Sequence, residues 1–293
     1  MLLKGCYVAV VTPFAADGSV DEKGLRSNID FLLERGVAGI IPCGTTGESA
    51  TLSWKEHNYV VETAVSHVRG RAQVIAGAGS NNTAESLTAA RFAKEIGADA
   101  ILSITPYYNK PTQEGLFLHY QALASRVDIP IVLYNVPGRT GVNLLPDTVE
   151  RLCAFQNIVA IKEASGDLVQ ISDIHRRCGQ RLTILSGNDA LTLPMLLLGA
   201  TGVISVAANI VPERVKAMID AFTLKNLAEA MAMHEQLLPL FRTLFIETSP
   251  SPIKSAMNYL GFAAGPLRLP LAPMSEMNRE KLITLIDSYK IKL

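Results

Sequence analysis

Neither sign of charge is in excess in this chain: 27 Lys and Arg stand against 27 Asp and Glu, for a formal net charge of zero. A sequence so balanced has no electrostatic footprint for nucleic acid or for an anionic membrane surface, and no such partner is expected. Cysteine is scarce as well. The four residues Cys6, Cys43, Cys153 and Cys178 are scattered without a C-x-x-C pair, which excludes a disulfide framework and reads as reduced, mostly buried thiols of a cytoplasmic protein. The five histidines, His57, His67, His119, His175 and His234, have no metal-ligand spacing, so no metal is expected. No apolar run approaches membrane-spanning length, and the start of the chain lacks the long apolar stretch of a signal peptide. Asn81-Asn82-Thr83 matches a glycosylation sequon only by pattern. Charged residues make up 18% of the 293 residues and hydrophobic ones 48%, a balance suited to an α/β protein with an extensive core.

Short β-branched runs recur through the first two thirds of the chain: 7–11, 39–41, 74–76, 100–104, 131–134, 159–161, 183–185 and 203–206. They begin roughly 20 to 35 residues apart, about what one βα unit occupies. Helical patterns lie between them. Leu25, Ile29, Leu32 and Leu33 share a face, and Gly36 stops that helix. Asn82-Thr83-Ala84-Glu85 resembles a capping box opening a helix that ends at Gly97. Thr112 caps another, with Leu116, Phe117, Tyr120 and Leu123 inward. Eight parallel strands alternating with helices predict a (β/α)₈ TIM barrel, with a doubly wound sheet as the alternative on pattern alone. Residues 1–211 are expected to hold the barrel strands and intervening helices. Residues 212–293 are expected to hold the last barrel helix and a C-terminal helical extension. There a long helix is expected over 224–245, with Leu227, Met231, His234 and Leu238 along one side, and Pro250-Ser251-Pro252 breaks the chain before the segment 253–260.

Unusual chemistry stands at the ends of the expected strands, where a barrel of this kind assembles its active site. Lys162 closes the apolar run Ile158-Val159-Ala160-Ile161, so its amine is delivered to the rim of an apolar core. Burial lowers a lysine pKa, and a drop of roughly 3 units would make the amine largely neutral at pH 7, able to form a Schiff base with a carbonyl. The ordinary alternative, a strand-end lysine reaching to solvent, is opposed by its neighbours. Tyr134 ends its strand as Lys162 does, so both side chains can project into one mouth, where a phenol can pass protons to and from a carbonyl oxygen. Arg139 follows in a Gly-bounded loop as a fork for a carboxylate. Gly44-Thr45-Thr46-Gly47-Glu48 offers hydroxyls and backbone N–H groups to a small carboxylate. Taken singly, the tyrosines also suit rim packing, Arg139 a surface ion pair, and the Thr45-Thr46 loop an ordinary turn.

Other motifs do not survive their context. Val159-Ala160-Ile161-Lys162 spells the lysine strand of protein kinases, but no H-R-D or D-F-G follows. Gly77-Ala78-Gly79-Ser80 follows a strand like a dinucleotide loop, yet the third glycine is missing. A G-x-S-x-G elbow is absent.

Four segments in this order, 39–48, 104–109 (Ile-Thr-Pro-Tyr-Tyr-Asn), 134–140 (Tyr-Asn-Val-Pro-Gly-Arg-Thr) and 161–164, make the whole chain resemble the dihydrodipicolinate synthase family of class I pyruvate-dependent aldolases and lyases. The resemblance continues through 185–189 and 202–206. It implies a (β/α)₈ barrel, a homotetramer built as a dimer of dimers, and condensation of pyruvate with L-aspartate 4-semialdehyde in lysine and diaminopimelate synthesis, with no metal or dissociable cofactor. It further implies that Lys162 forms the imine with pyruvate and Tyr134 relays protons. Thr45 links Tyr134 to Tyr108, which reaches in from the neighbouring subunit. The loop of Thr45 and Thr46 holds the pyruvate carboxylate, Arg139 binds that of the semialdehyde, and Gly187 and Ile204 line the pocket through backbone groups. In lysine-sensitive members the effector site uses positions matching Ser49, Ala50, Thr51 and Leu52 with His57, Asn81, Glu85 and Tyr107. Trp54 departs from the histidine that some of them carry, which puts the shape of that pocket in doubt, and Asn81 with Glu85 also suits simple helix capping. A sister lyase for N-acetylneuraminate or a 2-keto-3-deoxy sugar acid, and a barrel without catalysis, are the alternatives. Arg139 argues against the first and the intact Lys162, Tyr134 and Thr45 against the second.

Overall fold

The computed structural model describes residues 3–291; Met1, Leu2, Lys292 and Leu293, at the outer ends of the two expected stretches, lie outside it. Eight parallel strands close into a barrel in the order β1 to β8. They are β1 (Gly5–Ala9), β2 (Gly39–Ile41), β3 (Gln73–Gly77), β4 (Ala100–Ile104), β5 (Ile131–Asn135), β6 (Ile158–Glu163), β7 (Thr183–Ser186) and β8 (Gly202–Ser205). Their apolar side chains are buried except for Ile104 and Val159, which are half-buried, as expected of strands largely enclosed on both faces. β5 and β6 pair with Tyr134 opposite Lys162 and Asn135 opposite Glu163. Strands alternate their side chains between faces, so the first of these pairs lies on one face of the sheet and the second on the other.

By packing, the described residues form two compact units. The first comprises Val74–Ile204 and the start of the chain up to Gly5. It carries α3 (Thr83–Glu95), α4 (Gln113–Arg126), the single turn α5 (Pro137–Thr140), α6 (Pro146–Leu152), α7 (Leu168–Cys178) and α8 (Thr192–Leu197). Thr112 caps α4 by accepting from the Gly115 N–H, and Leu116, Tyr120 and Leu123 are buried as expected, whereas Phe117 is only half-buried. The capping box at Asn82 is incomplete: Asn82 accepts from the Ala84 N–H, but Glu85 instead receives the Ser80 hydroxyl at 2.6 Å. The Asn82 N–H, the donor a capping box would use, is instead taken by Ser80 Oγ at 3.1 Å.

The second unit comprises Cys6–Gln73 and the chain from Ser205 onward. It carries α1 (Glu22–Glu34), α2 (Trp54–Val68), α9 (Pro212–Thr223), α10 (Leu227–Thr243), α11 (Ser251–Leu260) and α12 (Glu276–Tyr289). Gly36 ends the first helix region at φ +69°, a conformation glycine adopts without steric cost. The complete capping box joins Ser53 and Glu56 at the start of α2. The long helix expected over 224–245 begins later, at Leu227, because Lys225 takes a positive φ and Asn226 caps the new helix from its side chain. Its inward face is also rotated: Ala230, His234, Leu237, Leu240 and Phe241 are buried, while Leu227 and Met231 are exposed. Packing against α9 and α12, rather than the helix's own periodicity, selects that face. All four cysteines are free, three of them buried.

Candidate active site

The first unit brings together the residues expected at the ends of β5 to β8. Lys162 and Tyr134 are each only 6% exposed, both one residue inside the end of their strands. The Lys162 Nζ stands 4.2 Å from the centroid of the Tyr134 ring. The lysine amine thus lies against the face of the Tyr134 ring, with both side chains buried. Gly187, directly after β7, explains itself by what a side chain there would meet: a Cβ would fall 3.1 Å from Cγ and Cε of Lys162 and 2.8 Å from the Ala164 Cβ. The lysine stem passes through the space that glycine leaves. Ile204 is buried on β8.

Arg139 is exposed on the α5 turn. That turn is tied down by Thr140, whose hydroxyl donates to the Val136 and Val142 carbonyls at 3.2 and 3.0 Å and receives Thr105 Oγ1 at 3.3 Å. Tyr108 is 88% exposed and holds φ +69°, rare for a bulky residue. Asn109 stabilises this corner: its N–H donates to the Tyr107 carbonyl at 2.8 Å and its side chain to the Asn81 carbonyl at 2.9 Å. Gly79, which resembled part of a dinucleotide loop, has another purpose, since a Cβ there would lie 2.4 Å from the Ile104 nitrogen. It lets β4 approach.

Thr45 and Thr46 belong to the second unit. Thr46 is buried and Thr45 half-buried on a tight turn after β2, closed by the Gly47 N–H and Ser49 N–H donating to the Gly44 carbonyl at 3.1 and 3.3 Å. Thr12 Oγ1 donates to the Gly47 carbonyl at 2.7 Å. Glu48 follows in the left-handed region at φ 53°, and its carboxylate receives the Lys254 ammonium at 2.6 Å, both side chains being almost fully buried. Lys254 also donates to the Pro266 carbonyl at 2.7 Å, and the Arg268 N–H donates to Glu48 at 3.2 Å. Burial pushes the Lys254 amine below its ordinary value, an effect opposed by Glu48. Ser49, Ala50 and Leu52 lie on and just after a short 3₁₀ turn, Ser49–Thr51. His57 is buried on α2 with the Trp54 ring edge-on to it, centroids 5.2 Å apart. In the first unit Asn81 is not the helix cap, Asn82 is, and Glu85 is held by Ser80.

Glu163, which the motifs placed only as a neighbour of Lys162, stands at the centre of a set of side-chain hydrogen bonds beside the site. It is fully buried. Burial raises its carboxyl above the ordinary range, against the lowering effect of donors from Asn135, Ser165 and Gln170. A second ionisable residue at the end of an apolar run, opposite in parity to the lysine, was the available signal. Among the described residues no group of three or more His, Cys, Asp or Glu side chains is placed to hold a metal ion, and no helix is long and apolar enough to cross a membrane.

Comparison with known proteins is consistent along the whole chain. A model of the dihydrodipicolinate synthetase family matches residues 2–289. A 4-hydroxy-tetrahydrodipicolinate synthase of Geobacter sp. (strain M21) is 51% identical over 290 residues, covering 99% of this chain and 100% of that protein. The chloride-inhibited dihydrodipicolinate synthase from Acinetobacter baumannii, solved in complex with pyruvate, superposes with a TM-score of 0.97 at 41% identity, covering 99% of this chain and 100% of that one. A dihydrodipicolinate synthase from Cyanidioschyzon merolae with lysine bound superposes with a TM-score of 0.96 at 41% identity over 98% of each chain.

Proposed function

The chain belongs to the dihydrodipicolinate synthetase family, and on that premise we propose which of its residues carry the family's reaction. The protein is a lyase of lysine and diaminopimelate biosynthesis that condenses pyruvate with L-aspartate 4-semialdehyde to 4-hydroxy-tetrahydrodipicolinate. Lys162 is the nucleophile, and the observation that carries this assignment is its buried amine 4.2 Å from the Tyr134 ring. Unprotonated Nζ attacks C2 of pyruvate, Tyr134 supplies and removes the protons of the carbinolamine, and loss of water leaves the iminium. The iminium is an electron sink, so the methyl group loses a proton and the resulting enamine carbon bonds to the aldehyde carbon of the semialdehyde. The amine of the semialdehyde then attacks the imine carbon, closes the ring and frees Lys162.

Thr45 and Thr46 serve the pyruvate carboxylate through hydroxyl and backbone donors, with Thr45 also serving the proton path of Tyr134 and Tyr108. Arg139 receives the semialdehyde carboxylate as a bidentate partner. Gly187 and Ile204 contribute backbone groups. Tyr108, exposed and held in a strained conformation, supports assembly as a homotetramer in which the phenol serves a neighbouring subunit, and the protein is placed in the cytoplasm. L-lysine acts as feedback effector through Ser49, Ala50, Leu52, His57, Asn81, Glu85 and Tyr107. A coupling of about 1–3 kcal/mol, typical of such effects, gives partial inhibition, noncompetitive with the semialdehyde. Calorimetric titration of lysine into the pyruvate-bound enzyme tests it, and silence at millimolar lysine would refute the regulatory site alone.

The imine is tested by adding borohydride to enzyme and pyruvate and mapping the product by peptide mass spectrometry. A single reduced pyruvyl group on Lys162 is the expected result, and Lys162→Ala keeps the fold while losing nearly all turnover. Label on another lysine, or none, would sink the assignment.

A further inference from the structure

The pairing of β5 with β6 sets two residue pairs side by side: Tyr134 opposite Lys162, and Asn135 opposite Glu163. The second pair is the centre of a closed network of side chains. Asn135 Nδ2 donates to Glu163 Oε2 at 2.9 Å and to Asn143 Oδ1 at 2.7 Å. Gln170, from α7, donates Nε2 to Asn143 Oδ1 at 3.1 Å and to Glu163 Oε2 at 3.3 Å, and receives Asn143 Nδ2 at 2.8 Å. The Ser165 N–H donates to Glu163 Oε1 at 2.6 Å. On the far side, the Leu144 N–H donates to Asn135 Oδ1 at 2.9 Å, and Gln113 Nε2 to the Asn143 carbonyl at 2.7 Å.

Two members of this network have no freedom of role. Glu163 receives its hydrogen bonds from donors, Asn135 Nδ2, Gln170 Nε2 and the Ser165 N–H, so its oxygens act as acceptors, and a backbone N–H only donates. Glu163 therefore compels Asn135 to present its NH₂ group on one side, which leaves the amide oxygen for Leu144 on the other. The chain leaves β5 at Asn135 and returns to the same side chain at Asn143 and Leu144, so this amide is the latch of the loop between them. Arg139 sits on that loop.

We propose that Glu163 is a positioning residue for the second substrate: its buried carboxylate sets the orientation of the Asn135 amide, which closes the loop that presents Arg139. The proposal rests on the assignment of Arg139 to the semialdehyde carboxylate. Glu163→Gln replaces one acceptor oxygen with a donor. With the new amide's oxygen kept on the Ser165 N–H, its NH₂ faces the NH₂ groups of Asn135 and Gln170. Asn135 relieves the clash only by turning over, which sets its NH₂ against the Leu144 N–H and opens the latch. The double variant Glu163→Gln, Asn135→Asp relocates the charge from β6 to β5. The carboxylate then at position 135 accepts both from the amide at position 163 and from the Leu144 N–H, and Asn143 turns to donate.

The experiment uses the full-length enzyme and reads two steps separately: borohydride trapping of pyruvate on Lys162, and steady-state KM and kcat for the semialdehyde. Glu163→Gln is expected to raise the semialdehyde KM about ten- to a hundredfold, the range set by one buried mismatched donor, with pyruvate labelling of Lys162 retained. The charge-relocated double variant is expected to recover most of that loss, which a purely structural role for the carboxylate would not produce. If Glu163→Gln fails to accumulate folded, Gln170→Met, which removes the two hydrogen bonds that side chain donates and the one it accepts but leaves the Asn135–Glu163 contact, is expected to show the same selective KM rise in smaller measure. An unchanged semialdehyde KM, or equal damage to both steps without recovery in the double variant, overturns the proposal. Absence of label in the wild-type enzyme would instead overturn the Lys162 assignment, so the two failures are distinguishable.

Discussion

Replacing Lys254 by Met separates the contribution of its buried ion pair from that of packing. The ammonium lies 2.6 Å from Glu48 Oε1, with side-chain exposures of 2% and 0%, and 4.2 Å from the centroid of the Phe14 ring. Methionine conserves much of the stem's volume, so the change leaves little cavity. It does leave the Glu48 carboxylate buried with the Arg268 N–H at 3.2 Å and the Thr51 hydroxyl at 3.5 Å as its remaining donors. Breaking a buried pair from one side costs about 3–5 kcal/mol, because the orphaned charge stays desolvated. Over a chain of this length that corresponds to a fall in Tm of about 5–8 °C. Thermal and urea unfolding followed by circular dichroism, at one fixed protein concentration so that assembly does not shift the midpoint, measures it. Removing both charges in Lys254→Met, Glu48→Leu should recover a large part of the loss, since two apolar groups replace the pair without an orphan. Glu48 follows Thr45-Thr46-Gly47, so the single variant should also raise the pyruvate concentration needed for half-maximal borohydride labelling. Stability of Lys254→Met within about 1 kcal/mol of wild type, the scale of an exposed pair, would refute the reasoning.

Burial pushes His119 down to about 4, so as pH falls from 6.5 the unfolded chain takes up a proton that the folded protein refuses. Stability is therefore lost between about pH 6.5 and 4, by about 3 kcal/mol from this group; His119→Gln should flatten that part of a urea-unfolding pH profile, and an unchanged slope would count against it. Gly187→Ala places a methyl 3.1 Å from the Lys162 stem and should slow imine trapping by about 1–3 kcal/mol, as overpacking does; wild-type trapping would mean that the lysine has room to spare. Arg139→Ala should weaken use of the semialdehyde by about 2–5 kcal/mol, as for loss of a charge partner, with little change in pyruvate labelling, and equal damage to both steps would reassign Arg139 to architecture.

Eight strands, their parallel order and the burial of Lys162 and Tyr134 were legible in the sequence, because each depends on residues a few positions apart. Apolar runs of three to five residues set the strands, glycines at 36 and 97 end the helices between them at positive φ, and the period of a strand places a terminal side chain on a known face. What the sequence could not supply was which distant groups meet. Lys254 finds Glu48 across 206 positions. Asn143 and Gln170 reach the same buried network from a loop and from α7. The inward face of α10 was misjudged for the same reason, since an amphipathic stripe becomes core only where neighbouring helices cover it. Gly79 mimicked a phosphate loop and Asn82 half a capping box, because a short motif does not say whether a strand or a serine will occupy the space beside it. Local periodicity is written in the chain; donor–acceptor matching, the burial of a charge and the room left by a missing Cβ exist only once the tertiary structure has brought remote segments into contact.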